Sequence, residues 1–227
     1  FRETDDFFRY EISDGEAVII SYAGERFSTK AEIPEKLEGF PVTTIKESAF
    51  YGNQYLKIII VPGCVKTIEQ YAFGYCTDLT DVVFEDSEES LIISDYAFTH
   101  CTDLREVIFS NKRKTEIGSF AFENCIRLGK TTIPSSVRKI GFEGFSGCEQ
   151  LILITDDSDE GARYASEHNI PVSFEESDTF SFIIILSAVA ILLCIIYCGF
   201  RIMIKRADKK SDKAEENSAD KKSDDSK

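Results

Sequence analysis

The sequence has little of what enzymes and metal sites are usually built from. Its 227 residues include no tryptophan, one methionine and two histidines. Histidine is the side chain most often used for proton transfer near neutral pH, so two copies leave little acid–base chemistry. Outside residues 179–200 no CxxC pair occurs, which removes the usual zinc spacing. The cysteines outside that run are Cys64, Cys76, Cys101, Cys125 and Cys148, an odd number that cannot all pair within one chain. Positive charge is also scarce: 26 Lys and Arg stand against 40 Asp and Glu, a net charge of −14. The last 27 residues carry +2, so the remainder carries −16, which excludes nucleic acid as its partner. No cofactor is implied.

What the sequence does have is repetition. "YAFGYCTDL" (71–79) returns as "YAFTHCTDL" (96–104). The phenylalanine of that phrase recurs as Phe50, Phe73, Phe98, Phe122 and Phe145, at spacings of 23, 25, 24 and 23. Five residues before it stands isoleucine every time: Ile45, Ile68, Ile93, Ile117 and Ile140. Six residues after it stands leucine: Leu56, Leu79, Leu104, Leu128 and Leu151. One such unit cannot bury its apolar residues alone, but stacked units place like on like and make one continuous core. Alternation in "TDVVF" and "REVIF" predicts a short strand in each copy. "AFxxC" suits one tight helical turn, and "CVKTI" or "SVRKI" a second extended piece leading onward. The length changes fall in connections such as "EDSEESLI" and "SNKRKTE", which are therefore expected at the surface.

"CTDLTDVVF", "TTIPSSVRKIG" and "SAFYGNQYLKIIIVPGCVKTIEQYAF" resemble the BspA-like leucine-rich repeats of bacterial and some protist surface proteins. The likeness covers 33–156. It departs from the LxxLxLxxN pattern, since Val or Ile fills the second position and no Asn ladder follows the strand. It implies a mixed α/β repeat solenoid of about five copies, right-handed, with a parallel sheet on one face. It also implies a surface location and a role in adhesion or ligand binding, without catalysis.

An open stack exposes a core and an unpaired edge at each end. Residues 1–32 contain "FFRYEISDGEAVIISY", which reads as a capping hairpin turned by Asp14-Gly15. Residues 157–178 are expected to form the C-terminal cap and juxtamembrane linker. There "DSDEGARYASEHNIPV" (157–172) reads as a short helix stopped by Asn169 and Pro171. Residues 179–200 carry no charge, a run that would span about 33 Å as a helix, the depth of a bilayer core. A single transmembrane helix is expected over 179–204. The basic residues that follow put the tail, 205–227, in the cytoplasm and the repeats outside. The tail has no apolar face and is expected to be disordered. The chain opens on Phe1, so a processed or trimmed product is expected, with any secretory signal upstream. Ala190, Cys194 and Cys198 recur every four residues in the span, spacing that suits close helix approach, lipid-facing filler or, at Cys198, acylation.

Three constellations compete with plainer readings. His100 lies beside Cys101, but Gly52, Tyr75, Asn124 and Gly147 fill its place elsewhere, as suits an exposed turn. Asp156, Ser158, Glu160, Gly161 and Glu167 fit calcium-loop positions, but Arg163 stands where an apolar residue belongs and an acidic helix start explains the acids. Cys76, Cys101, Cys125 and Cys148 share one place in the repeat, where stacking makes them a ladder of buried thiols. No catalytic or metal-binding residue is assigned.

The binding candidates are the residues expected to point outward from the strands. One column is Ile58, Asp81, Glu106, Lys130 and Leu153; the next is Ile60, Val83, Ile108, Thr132 and Thr155; Glu85 follows on its strand. Strand propensity alone favours Val, Ile and Thr. The functional alternative is an apolar groove flanked by acids, suited to an extracellular protein or glycan. The expectation is a single-pass surface protein that adheres through this face. A receptor working by ligand-induced association, as a homodimer, is the alternative, and an enzyme the least supported.

Overall fold

A computed structural model describes residues 2–3, 8–23, 29–155 and 159–173. All lie in the compact unit Phe1–Glu175. The predicted span at 179–204 and tail at 205–227 fall outside the described residues. Among those described, no helix is long and apolar enough to cross a membrane.

The chain begins with β1 (Arg2–Glu3), β2 (Phe8–Ser13) and β3 (Glu16–Tyr22). β2 and β3 form the expected antiparallel hairpin. Asp14 and Gly15 both have positive φ, 53° and 80°, as a tight two-residue turn between twisted strands requires. Next come β4 (Lys30–Glu32), β5 (Lys36–Leu37) and β6 (Phe40–Ile45). Thereafter each copy contributes two strands: β7 (Ile58–Val61) and β8 (Thr67–Ile68), then β9 (Asp81–Phe84) and β10 (Leu91–Ile93). The pattern continues with β11 (Glu106–Ile108) and β12 (Thr115–Ile117), then β13 (Lys130–Thr132) and β14 (Val137–Ile140). β15 (Ile152–Ile154), helix α1 (Glu160–His168) and β16 (Val172–Ser173) complete it.

These strands stack into a β-solenoid with two parallel ladders. The second extended piece of each copy is itself a ladder strand. β3, β6, β8, β10, β12 and β14 form the first ladder. Its register places Ile45, Ile68, Ile93, Ile117 and Ile140 side by side. β4, β7, β9 and β11 form the second, which breaks and resumes with β13, β15 and β16. β4 pairs in parallel with β7, so a rung precedes the first Ala-Phe copy.

The core follows the columns read from the sequence. Phe50, Phe73, Phe98, Phe122 and Phe145 stack at centroid separations of 4.5, 4.9, 5.1 and 5.1 Å. Tyr22 continues the stack onto the hairpin, 5.0 Å from Phe50. At the other end Tyr164 of α1 meets Phe145 edge-on at 5.9 Å, and its hydroxyl accepts the Phe145 N–H at 3.1 Å. Each Cys thiol donates to the Phe carbonyl one rung back: Cys76 to Phe50, Cys101 to Phe73, Cys125 to Phe98 and Cys148 to Phe122, at 3.1–3.3 Å. Burial pushes the Cys76 and Cys125 thiols well above their ordinary pKa. In the first copy Asn53 takes this place and its side-chain oxygen accepts the Tyr55 and Leu56 N–H groups.

The "AFxxC" segment is not a helical turn. Ser48, Tyr71, Tyr96, Phe120 and Glu143, two before each Phe, have left-handed backbones. So do Gly52, Tyr75, His100, Asn124 and Gly147, two after it. Left-handed residues break an α-helical run. The Phe N–H groups are thereby turned outward along the stack: Phe50, Phe73, Phe98 and Phe122 donate to Ala72, Ala97, Ala121 and Gly144 of the next rung, at 2.7–2.8 Å.

The connection "SNKRKTE" was expected at the surface, yet Arg113 within it is 0% exposed. Its guanidinium donates to the carbonyls of Glu89 (3.2 Å) and Pro62 (3.4 Å), in the two preceding connections. Ser110 is also buried and donates to Asp86 at 2.7 Å, while Ser136 donates to the Ser110 carbonyl at 2.7 Å. A loop that must satisfy neighbouring loop carbonyls draws a long donor inward, because a buried unpaired carbonyl is costly. Burial lowers the Arg113 pKa, although a guanidinium stays charged.

Candidate functional site

The second ladder carries the predicted columns. β7, β9 and β11 pair in register, so Ile58 lies beside Asp81 and Asp81 beside Glu106. Ile60, Val83 and Ile108 are aligned in the same way. Ile58, Ile60, Asp81 and Val83 are partly covered, whereas Glu85, Glu106, Ile108, Lys130 and Thr132 are exposed. Ile108 is 46% exposed, unusual for a large aliphatic residue. Between them Ile59, Val82, Val107 and Thr131 point into the core.

Two predicted members do not point outward. Leu153 is 0% exposed, and Thr155 is buried, although it still lines the groove beside β13. β13 and β15 align Lys130 with Ile152 and Thr132 with Ile154. The last copy therefore reaches its strand one residue early, and a one-residue slip exchanges the two faces. Ile152 and Ile154 occupy the outward places instead. The alternation in "LILIT", with leucines at 151 and 153, was the available signal.

The ladder breaks between β11 and β13, and a groove of about 470 Å³ lies there. Glu106, Ile108, Lys130 and Thr132 line it, together with Asn111 and Ile154, which repeat spacing did not identify. One wall is apolar, with a carboxylate on one strand and an ammonium on the next. Such a surface can hold a partner by apolar contact and orient it by charge.

The remaining constellations resolve into packing. Cys101 is buried, so its thiol is not presented to the neighbouring imidazole. His100 stacks on Tyr75 at 4.5 Å and lies 2.9 Å from the Thr99 hydroxyl and 3.2 Å from the Asn124 amide. Asp156 and Ser158 of the calcium reading lie outside the described residues. Glu160 and Glu167 both pair with Arg163, and Glu160 accepts the Ile140 N–H at 2.8 Å. Arg163 holds the Glu160 carboxyl below the usual carboxylate range. A side chain at Gly161 would lie 2.7 Å from Thr155 Oγ1 and 2.9 Å from Ile133, so this glycine permits close helix packing. Among the described residues no group of three or more His, Cys, Asp or Glu is placed to hold a metal ion.

Comparison with known proteins agrees with this architecture. The family model of the BspA-type leucine-rich repeat region matches residues 25–155 in six copies, one more than the Phe spacing counts. The leucine-rich repeat protein of T. pallidum is 28% identical, with a TM-score of 0.60 over 77% of this chain and 84% of that one. A leucine-rich repeat protein from Bacteroides ovatus shares the fold at 24% identity and a TM-score of 0.57, over 69% of this chain and 41% of that one. No curated protein matches. With its repeats, its stacked ladders and more than half its length matched, the chain belongs to the family of BspA-type leucine-rich repeat proteins.

Proposed function

We propose that this is a non-catalytic surface-binding protein that adheres to an extracellular protein or glycan through the second ladder. The observation that carries this reading is the pair of in-register outer columns that lead from β7 to the groove beside β11. The family supports a binding role and supplies no catalytic machinery. Helix α1 serves as the cap that closes the last rung, with Tyr164 over Phe145. The uncharged run at 179–200 anchors the chain as one transmembrane helix, leaving the repeats outside and the 205–227 tail in the cytoplasm.

The test displays the full chain on cells and screens it against matrix proteins and immobilised glycans. Ile60→Asp with Ile108→Asp should reduce binding of whichever partner is captured by at least about tenfold, the loss of roughly 1.4 kcal/mol at a buried apolar contact. Circular dichroism should remain that of the parent. Undiminished binding in the folded double variant would remove the second ladder as the contact.

A further inference from the structure

A second surface, separate from the ladder faces, runs along the "AFxxC" turns. Tyr71, Tyr96 and Phe120 form an outer stack, with centroids 5.2 and 5.1 Å apart and planes within 16° and 6° of parallel. Tyr75 and His100 form another at 4.5 Å. Tyr51 joins the two, 6.3 Å from Tyr71 and 5.3 Å from Tyr75, and is 52% exposed.

The cost of this arrangement makes it informative. Tyr71, Tyr75, Tyr96, His100 and Phe120 all have φ between 54° and 60°. Bulky residues are rarely found there, and persistent strain of this kind clusters at functional sites. At the position two after each Phe other copies carry glycine or asparagine, as Gly52, Asn124 and Gly147, whereas at the position two before it every copy carries a Cβ, from Ser48 to Glu143. Glycine and asparagine adopt the left-handed backbone readily, so the turn itself does not demand aromatic rings.

The charge of this face is mainly negative. The five turn segments, 46–56, 69–79, 94–104, 118–128 and 141–151, hold eight Asp and Glu against two basic residues, Lys46, paired with Glu69, and Arg127, paired with Asp103. Glu123 accepts the Thr99 hydroxyl at 3.0 Å, and its charge reaches the Tyr71 phenol. Beside the turns, Glu47, Glu69, Asp95 and Glu116, with Lys139 as the one basic group in the lining, border a groove of about 520 Å³ whose apolar wall includes Ile92, 48% exposed.

We infer that this turn face binds a cationic protein segment rich in Lys and Arg. Aliphatic stems would lie along the ring edges while the charged heads meet carboxylates and phenol oxygens. The half-exposed Tyr51 ring offers a cation–π position at the end of the cluster. A sugar is the poorer fit, because in the stacks the ring faces that a sugar would cover are already occupied by neighbouring rings.

The test measures binding of an eight-residue Arg/Lys peptide to the purified full chain at 150 mM salt. The informative variant is Tyr71→Ser, Tyr75→Asn, Tyr96→Ser, which installs residues the chain already uses at the equivalent positions and leaves the net charge unchanged. It should fold and bind at least about tenfold more weakly. Glu106→Gln, on the second ladder, should leave peptide binding unchanged, so this inference and the adhesion reading can fail separately. Equal binding by parent and triple variant would show attraction by net charge alone and overturn the proposal. So would binding of neutral oligosaccharides to the turn face with no binding of the peptide.

Discussion

The Phe column of the core and the Tyr71, Tyr96 and Phe120 stack run side by side, one inside and one outside. The inner stack is phenylalanine in all five copies, at 4.5–5.1 Å. The outer one, two residues earlier in the turn, reads Ser48, Tyr71, Tyr96, Phe120 and Glu143, yet its rings stand at 5.1–5.2 Å. Both spacings are imposed by the same backbone bonds from rung to rung. What differs is burial. Inside, only one ring size fills the space between successive rungs. Outside, solvent tolerates anything the left-handed backbone can accept. Periodicity of residue type therefore marks the core, and its failure beside a constant geometry marks the surface free to serve recognition.

The largest test of this contrast is Phe98→Ala. It opens a cavity in mid-stack and should cost about 3–5 kcal/mol, read as a shifted denaturant midpoint. A loss near that of an exposed ring would mean the inner column is not the principal packing column. Next is Arg113→Ala, which leaves the Glu89 and Pro62 carbonyls without their donor and should cost about 2–4 kcal/mol despite lying in a connection. An effect within about 0.5 kcal/mol, as for an ordinary surface site, would return Arg113 to the solvent.

Tyr96→Ser in the outer stack removes two ring contacts, worth about 0.5 kcal/mol each at this partly exposed site, and leaves the left-handed backbone as it is, since serine also stands there at Ser48. Its net effect should stay within about 1 kcal/mol, several times below that of Phe98→Ala. The smallest effect concerns the end of the inner column, where Glu160 helps hold α1 and thus Tyr164. Its carboxyl lies below the usual range, chiefly through the Arg163 hydrogen bonds. A depressed folded pKa gives stability that is present above the unfolded value, about 4.3, and lost as pH falls through the folded value. Acidification from pH 5 to pH 3 should therefore lower the protection of the Phe145 amide against hydrogen exchange, measured relative to the intrinsic rate at each pH, and Glu160→Gln should flatten that dependence.

Much of the fold was legible because the solenoid repeats its own environment. Ile, Phe and Leu recur wherever a side chain meets its equivalent in the next rung. The cysteines follow for the same reason: a small thiol fits beneath the preceding rung and donates to its Phe carbonyl. The binding face was legible only in part. Its columns hold through β11, but at the last rung the one-residue slip buries Leu153 and Thr155 and leaves Ile152 and Ile154 outward. Spacing counted from Phe145 carries no information about a residue missing later in the copy.

By itself the sequence determined the period, the core columns, the turn at Asp14-Gly15 and the acidic character of the chain. These depend on residue type at a local position, which the repeat reports many times over. Only the tertiary structure decided which way the last strand faces, that Arg113 turns inward, and that variable turn residues assemble into an aromatic surface. Each of these depends on what the neighbouring rung presents: a carbonyl that needs a donor, a strand that fixes register, a ring at stacking distance. Such partners lie 22 to 51 residues away and leave no mark in any one copy.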